Sequence, residues 1–391
     1  MKKVLFIQTA MTNGGIEQAL INLLDVLPKE DLQITVALSY STGAWQHRLP
    51  EYCRAVEIPM PEKARQQIKR GGAKANIMHA MRRGNVFRAA SIFFKRKILK
   101  NMTAELSVNW NKLKPLEGEF DLAVCYTVHD PFLARYVIEK VSAKRKIAFV
   151  HNDFTTTGYA FSNCVGYDKY DKYYAVSNVL KNELSAFLCK NKIKVFYNIV
   201  PVKNILEKGN EVGDAYDGLD GIKLLTVGRL NYQKGIDIAI ETMKYLKNDF
   251  KNAKWFVVGS GALFEELSAQ TKSMGLEDCF IFLGQQDNPY KFIKQCDIYV
   301  QPSRHEGYCT TVNEARVLNK PIVATDVSGT REMLVDGENG LIVQAKPYEI
   351  YIAIKRLLQD KTLTERFSNN LKLIDYTAKG ELEDFLIANN I

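Results

Sequence analysis

Short apolar segments of strand length alternate with helix-length stretches along the chain, and the alternation runs twice. In the first half, segments near Val4–Ile7, Ile34–Ser39, Leu122–Tyr126, Lys146–His151, Tyr173–Ser177 and Val195–Asn198 read as strands. In the second half the strands fall near Lys223–Gly228, Trp255–Gly259, Phe280–Leu283, Ile298–Gln301, Pro321–Thr325 and Leu341–Val343. Between the first two, Ile16, Leu20, Leu23 and Leu27 recur at helical spacing on one face. Strands this short and this apolar are buried on both faces, and the helices between them supply the crossovers. The pattern therefore predicts parallel, doubly wound α/β sheets.

Residues 204–221 interrupt the alternation. They hold Gly209, Gly213, Gly218 and Gly221 among Glu207, Glu211, Asp214, Asp217 and Asp220, which reads as a polar connector. The expected organisation is an N-terminal Rossmann-like domain over 1–203, the connector 204–221, a second such domain over 222–372, and a C-terminal helix over 373–391 packing back on the first domain. Two such domains would face a central cleft, with ligands at the carboxyl ends of their strands.

A chain of 391 residues is long enough for two separate cores. It has no apolar run near the ~18 residues that span a bilayer, and the apolar part of its N-terminus is too short for a secretory signal. These features predict a cytoplasmic protein. Seven scattered cysteines with no Cys-x-x-Cys pair argue against a disulfide framework and a structural zinc site. The net charge of +9 is concentrated: residues 63–100 contain 12 of the 53 Lys and Arg residues and no Asp or Glu. That segment calls for an anionic partner.

Three motifs in the second half carry chemistry. The first is DIYVQPSRHEGYCTTVNE, Asp297 to Glu314. A strand ends at Gln301–Pro302, a loop follows, and a helix is expected to begin near Thr310, with Thr310 and Thr311 as caps. Its free amides and positive dipole end suit a pyrophosphate. Glu306 in the loop and Glu314 in the helix could then accept hydroxyls on either side of the phosphates; as isolated residues they read equally as solvated surface acids. The second motif is TVGRLNYQKG, where Arg229 and Lys234 follow a strand end. Two fixed cations there would stabilise a departing diphosphate, Arg by bidentate contact and Lys as a point charge. The third is VVGSGALFEEL, with Gly259 and Gly261 in a strand-to-helix turn; a ligand-free tight turn explains it as well as a base or ribose pocket.

Taken together, Gly228-Arg229 with Lys234-Gly235, Gly259-Ser260-Gly261, Glu306-Gly307 with Glu314-Ala315, Gly329 with Glu332, and Asn339-Gly340 resemble the retaining GT-B glycosyltransferases of glycosyltransferase family four (glycosyl transferases group 1). The resemblance is dense in the C-terminal half and sparse in the N-terminal half. It implies that Arg229 and Lys234 bind the donor diphosphate, that Glu306 contacts the donor sugar and Glu314 the ribose, and that the backbone of Gly307, Tyr308, Cys309, Thr310 and Thr311 helps hold phosphate or sugar. Gly228, Gly259 and Gly261 would complete the donor pocket. Thr330, Arg331 and Glu332 are rim positions. In the N-terminal half the resemblance points to Gly14-Gly15 at a helix start, meeting phosphates and acceptor, and to His151 at a strand end, contacting the transferring sugar. Asn152 and Asp153 stand beside it, while Glu17 reads as a helix-dipole partner and Ser177 as an N-cap.

In the basic segment, Arg82, Arg83, Phe87, Arg88, Phe94, Lys95, Arg96, Lys97 and Ile98 form a basic amphipathic helix pattern. It suits the headgroup layer of an anionic membrane; a core-facing helix with a basic outer face is the other reading. No nucleic-acid-binding motif accompanies it.

The expectation is a retaining glycosyltransferase of hexosyl type. It would move a sugar from a nucleotide diphosphate sugar, UDP ahead of GDP, to a hydroxyl on a glycan or lipid-linked glycan of bacterial surface polysaccharide synthesis. It would work at the inner face of the plasma membrane. The chain has no Asp-x-Asp element of the kind that binds a divalent ion in other sugar-transfer folds, so no metal and no further cofactor is expected. A sugar-nucleotide epimerase on the same fold, or a silent nucleotide-sugar-binding scaffold, are the alternatives.

Overall fold

The computed structural model describes residues 1–12, 14–40, 46–62, 65, 110–151, 167–216, 218–376 and 379–391. The proposed membrane-contact residues Arg82 to Ile98, and Asn152 and Asp153, lie outside the described residues. Among those described, no helix is long and apolar enough to cross a membrane. The chain divides into two compact units.

The N-terminal unit comprises Met1–Val176, Leu180–Phe196 and Gly380–Ile391. In chain order its elements are β1 (Lys2–Gln8), α1 (Gly15–Val26), β2 (Leu32–Leu38), β3 (Arg54–Glu57), β4 (Glu119–Cys125), α2 (Pro131–Lys140), β5 (Ser142–Val150), β6 (Lys172–Ala175), α3 (Asn178–Leu184), whose first two residues fall in the other unit, and β7 (Ile193–Val195). The strands form one parallel sheet in the order β3-β2-β1-β4-β5-β6-β7. Val4 to Ile7 are fully buried, as a central strand covered on both faces requires. Strand β3 carries no apolar run, since Arg54, Ala55 and Glu57 are exposed at the sheet edge. Its absence from the sequence reading follows from that.

The C-terminal unit comprises Tyr197–Lys379 with Ser177–Val179. Its elements are α4 (Val202–Gly209), β8 (Ile222–Val227), α5 (Ile236–Asp249), β9 (Ala253–Val258), α6 (Phe264–Ser273), β10 (Phe280–Gly284), α7 (Pro289–Gln295), β11 (Ile298–Gln301), α8 (Thr310–Val317), β12 (Ile322–Thr325), α9 (Thr330–Met333), β13 (Leu341–Val343), α10 (Pro347–Gln359) and α11 (Lys361–Lys372). The sheet is parallel, in the order β10-β9-β8-β11-β12-β13. Successive strand side chains point to opposite faces. Leu224, Trp255 and Val257 therefore join one core with Met243 and Ile354, while Leu225, Phe256 and Val258 join another with Ile293 and Val312.

Residues 204–221 are not a free connector. Helix α4 occupies their start, and Ile205 and Tyr216 are buried in the second of those cores. Tyr216 donates its hydroxyl hydrogen to the Phe292 carbonyl at 2.9 Å. The division between units falls instead at Phe196–Tyr197. The last helix, α12 (Lys379–Asn389), belongs from Gly380 onward to the N-terminal unit. There Phe385 is buried against Phe149, Tyr174 and Phe196, and Asn389 donates to the Tyr174 hydroxyl at 2.7 Å.

Each sheet runs outward from its first strand in both directions. The strand order thus reverses between β1 and β4 in one unit and between β8 and β11 in the other. Loops at the carboxyl ends of such strand pairs are where open α/β sheets bind ligands.

Candidate functional site

The carboxyl ends of β8 and β11 bring the strongest sequence candidates together. After β8 the chain passes Gly228 and Arg229 into a turn. Asn231 accepts the Lys234 backbone N–H on its side chain at 3.1 Å, and Gly235 follows in the left-handed region at φ 63°. A Cβ on Gly235 would lie 2.1 Å from the Pro302 carbonyl oxygen, so only glycine lets this turn rest on the β11 loop. A Cβ on Gly228 would crowd the Lys234 stem at 3.2 Å. The motif thus sets Lys234 against the neighbouring loop.

That loop carries Glu306, which is 7% exposed. Lys234 Nζ donates to Glu306 Oε1 at 2.7 Å, and Ser303 Oγ donates to the same oxygen at 2.6 Å. Gln233 approaches the other oxygen, Oε2, at 3.4 Å and donates to the His305 carbonyl at 3.1 Å. Burial disfavours the Lys234 ammonium, but the neighbouring Cys309 and Glu306, with the Glu306 hydrogen bond, outweigh it and hold its pKa above the usual value. The charge of Arg229 acts in the opposite sense. Arg229 itself is exposed and forms no ion pair among the described residues.

A second strut joins the two loops. Arg304 donates to both carboxylate oxygens of Asp237, at 2.7 and 2.5 Å, and stacks over the Tyr232 ring at 4.1 Å. Its backbone N–H donates to the Gln233 carbonyl at 2.8 Å. A bidentate pair of this kind fixes geometry as well as attraction.

Helix α8 starts beside Glu306. Its N-cap is Cys309, not Thr310 or Thr311, and no side chain caps its first turn. Thr311 lies inside that turn and donates its hydroxyl hydrogen to Gln301 Oε1 at 3.1 Å. The difference arises because the threonine hydroxyl has a buried partner inside the unit. Apart from the Val312 amide, which faces the Cys309 sulfur, the early amides of α8 have no side-chain acceptor among the described residues, which suits an anion. Cys309 Sγ sits 4.0 Å from Lys234 Nζ and 3.3 Å from Thr311 Oγ1, and burial pushes its thiol up to about 11. It is a neutral packing group at pH 7. Glu314 lies within α8 and is buried. Tyr308 stacks near Tyr197, ring centroids 5.4 Å apart.

The remaining glycines are backbone contacts. Gly259 has φ 144°, and its Cβ would lie 1.9 Å from the Gly228 carbonyl oxygen; a Cβ on Gly261 would lie 2.4 Å from that of Leu230. Gly329 lies against the Gly307 carbonyl, where a Cβ would stand 2.7 Å away. These glycines fit the loops to one another. Glu332 likewise has internal partners: it accepts from the Asn178 and Val179 backbone N–H groups at 2.8 and 3.1 Å and from the Tyr197 hydroxyl at 2.9 Å. Arg331 makes a bidentate pair with Asp326.

The N-terminal unit holds its own candidates near the ends of β1, β4 and β5. Gly14 caps α1 with extended backbone and no side-chain hydrogen bond, and Gly15 begins the helix. Glu17 accepts the Thr12 hydroxyl at 2.8 Å. His151 is buried beside Tyr126 and Phe149, with ring centroids 4.6 and 5.9 Å away. Its backbone N–H donates to His129 Nε2 at 3.1 Å. Burial, with His129 beside it, holds the His151 pKa down to about 3, and burial holds His129 to about 4. Both imidazoles are neutral at pH 7. His129 was not singled out from the sequence; nothing local marks a histidine that meets another 22 residues away.

Sequence reasoning also passed over Tyr299, Gln301 and Ser303. The signal was present: they alternate along and beyond β11, so polar groups at 301 and 303 share a face with a buried tyrosine.

Residues 218–373 match the family model described as glycosyl transferases group 1. Over 183 residues the chain is 31% identical to N-acetylgalactosamine-N,N'-diacetylbacillosaminyl-diphospho-undecaprenol 4-alpha-N-acetylgalactosaminyltransferase of Campylobacter jejuni, covering 46% of this chain and 48% of the relative. It is 28% identical over 214 residues to the capsular polysaccharide biosynthesis glycosyltransferase CapM of Staphylococcus aureus, covering 50% and 54%. The chain thus spans about half the length of these curated relatives. The crystal structure of Anabaena HepE in complex with UDP and glucose superposes over 100% of both chains with a TM-score of 0.72 at 17% identity. That likeness establishes the fold: two parallel-sheet, Rossmann-like units of the GT-B class.

Proposed function

We propose that the protein is a retaining glycosyltransferase of hexosyl type, using a nucleotide diphosphate sugar, UDP-linked ahead of GDP-linked, and a hydroxyl acceptor on a lipid-linked glycan. The observation that carries the reading is the meeting of Lys234 and Glu306 at the β8/β11 reversal, beside the uncapped start of α8. A cation next to free helix amides fits a diphosphate whose charge grows as it leaves, with Arg229 as a second cation. A buried carboxylate beside them fits sugar hydroxyls. The names of the Campylobacter and Staphylococcus relatives support polysaccharide or lipid-linked glycan assembly.

In this reading the bond from the sugar C1 to the diphosphate oxygen breaks. A bond to the acceptor oxygen forms on the same face, and the acceptor proton passes to the departing phosphate oxygen. Lys234, Arg229 and the α8 amides take up the charge. His151, neutral at pH 7, would contact the sugar as a hydrogen-bonding group and not as a charged acid. The reaction is proposed to need no metal. The basic segment 63–100 is proposed to bind an anionic membrane surface, on its sequence alone; failure to float with anionic vesicles would remove that part.

The test is hydrolysis and binding of UDP-, GDP- and ADP-sugars by the wild type and Glu306→Ala, with and without EDTA. Slow consumption of one donor, lost in the variant and indifferent to EDTA, is expected. Isomerised donor with no acceptor present would identify an epimerase. Binding without consumption under any acceptor would identify a scaffold.

A further inference from the structure

Glu306 Oε1 is the end of a buried hydrogen-bond relay that runs back along β11. The Tyr299 hydroxyl donates to Gln301 Oε1 at 2.7 Å, and the Thr311 hydroxyl donates to the same oxygen at 3.1 Å. Gln301 Nε2 donates to Ser303 Oγ at 2.9 Å, and Ser303 Oγ donates to Glu306 Oε1 at 2.6 Å. Every donor points the same way, toward the carboxylate. Gln301 is 2% exposed and Ser303 is fully buried. A buried amide and hydroxyl on a strand face where aliphatic residues would serve the core are costly unless paired, and here each is paired in sequence. Donors in such a chain polarise one another.

The consequence for Glu306 is asymmetric. Ser303 and Lys234 both occupy Oε1, whereas Oε2 meets, among the described residues, only Gln233 at 3.4 Å. One oxygen is anchored and the other is left for a ligand. Lys234 cannot serve as the lasting anchor if its ammonium also turns toward a diphosphate. Ser303 can, because its hydroxyl is tied behind by Gln301 and its carbonyl accepts the Thr325 hydroxyl at 2.5 Å.

We infer that Ser303, oriented by Gln301, is a positioning residue that holds the Glu306 carboxylate in its sugar-facing orientation while Lys234 engages the donor diphosphate. The inference rests on the transferase reading for its catalytic consequence, though not for the geometry of Glu306. Misplacing a reacting group by about 1 Å can cost on the order of 100-fold in rate.

The experiment compares the wild type, Ser303→Ala, the nearly isosteric Ser303→Cys, Glu306→Gln and Ser303→Ala/Glu306→Gln with the donor found above. Ser303→Ala should lower kcat by about 10- to 100-fold with donor KM little changed, and Ser303→Cys should fall between it and the wild type. On the Glu306→Gln background, Ser303→Ala should add no further loss, as expected of residues acting through one group. Unchanged kcat, a change confined to KM, or fully additive losses would overturn the inference. A crystal structure of Ser303→Ala supplies a readout without turnover. The Glu306 carboxylate should leave its wild-type orientation; if it stays, the inference fails even when the rate falls. Should the wild type turn over no nucleotide sugar, the transferase reading fails, and the position of Glu306 in that crystal still decides the role of Ser303. If Ser303→Ala does not fold, the Ser303→Cys rate and structure decide by the same criteria.

Discussion

The two sheets share one order over their first six strands and differ in what they carry where it reverses. At β8/β11 the loops present Arg229, Lys234 and Glu306, with an uncapped helix start beside them. At β1/β4 the groups are neutral or engaged. Gln8 accepts the Thr127 hydroxyl, and the imidazoles of His129 and His151 are uncharged. The acids there are engaged: Glu17 accepts the Thr12 hydroxyl at 2.8 Å, and Asp130 accepts the Phe132 and Leu133 amides of α2 at 3.0 and 3.3 Å and the Thr9 hydroxyl at 3.1 Å. The fold supplies a binding position in each unit, and the side chains decide its chemistry. One reversal is built to meet charge. The other holds buried aromatic and imidazole groups that are uncharged at pH 7.

That contrast can be broken most forcefully at Glu306. Glu306→Ala should lower transfer by about 1,000-fold or more, in the range seen when a charge-stabilising group is removed, measured as kcat/KM for the competent donor. Stability should fall as well, by about 3 kcal/mol, because the buried Lys234 ammonium loses its carboxylate; urea unfolding separates that loss from the loss of rate. A loss below about tenfold would mean that the charged reversal is not the reacting centre.

The glycines provide the next largest effect. Gly259→Ala combines a positive φ with a Cβ 1.9 Å from a backbone oxygen, and should destabilise by about 3 kcal/mol, within the range of steric and backbone strain. Gly14 has φ −140°, open to any residue, so Gly14→Ala should cost less than about 1 kcal/mol. Denaturant midpoints measure both. If Gly14→Ala abolishes transfer while leaving stability intact, close approach of a ligand is the reason for that glycine, whereas Gly259 is explained by loop packing alone.

Arg229 sharpens the comparison at smaller scale. It is exposed and has no ion-pair partner among the described residues, so Arg229→Ala should leave stability within about 0.5 kcal/mol. UDP binding, read by calorimetry, should weaken about tenfold, which corresponds to about 1.4 kcal/mol. Equal affinity in wild type and variant would remove Arg229 from the diphosphate site.

The same contrast explains how much could be read from sequence. Charged residues just past a buried strand stand out, so Arg229, Lys234 and Glu306 were legible, as was nearly every strand. What escaped depends on partners distant in sequence. Ser303 and Gln301 matter through Glu306, Arg304 through Asp237, and Glu332 through Asn178 and Val179, 154 and 153 residues away. Strand β3 escaped because an edge strand needs no apolar face. The stretch 204–221 misled because its glycines and acids conceal Ile205 and Tyr216, which anchor it in the core.

The pH dependence of stability tests the neutral side of the comparison. His129 and His151 have folded-state pKa values near 4 and 3, below the 6.5 of an unfolded histidine. Below pH 6.5 the unfolded chain therefore binds more protons than the folded one, and stability falls as pH falls, until the folded pKa values are reached. Each histidine contributes a slope of up to about 1.4 kcal/mol per pH unit in that window. Urea midpoints measured between pH 7 and pH 4.5 should decline accordingly, on top of any general acid effect. His129→Gln keeps an acceptor for the His151 backbone N–H and removes one titrating group, so its decline should be shallower by one such slope. An identical decline in the variant would show that His129 is protonated in the folded protein, and that the β1/β4 reversal carries charge after all.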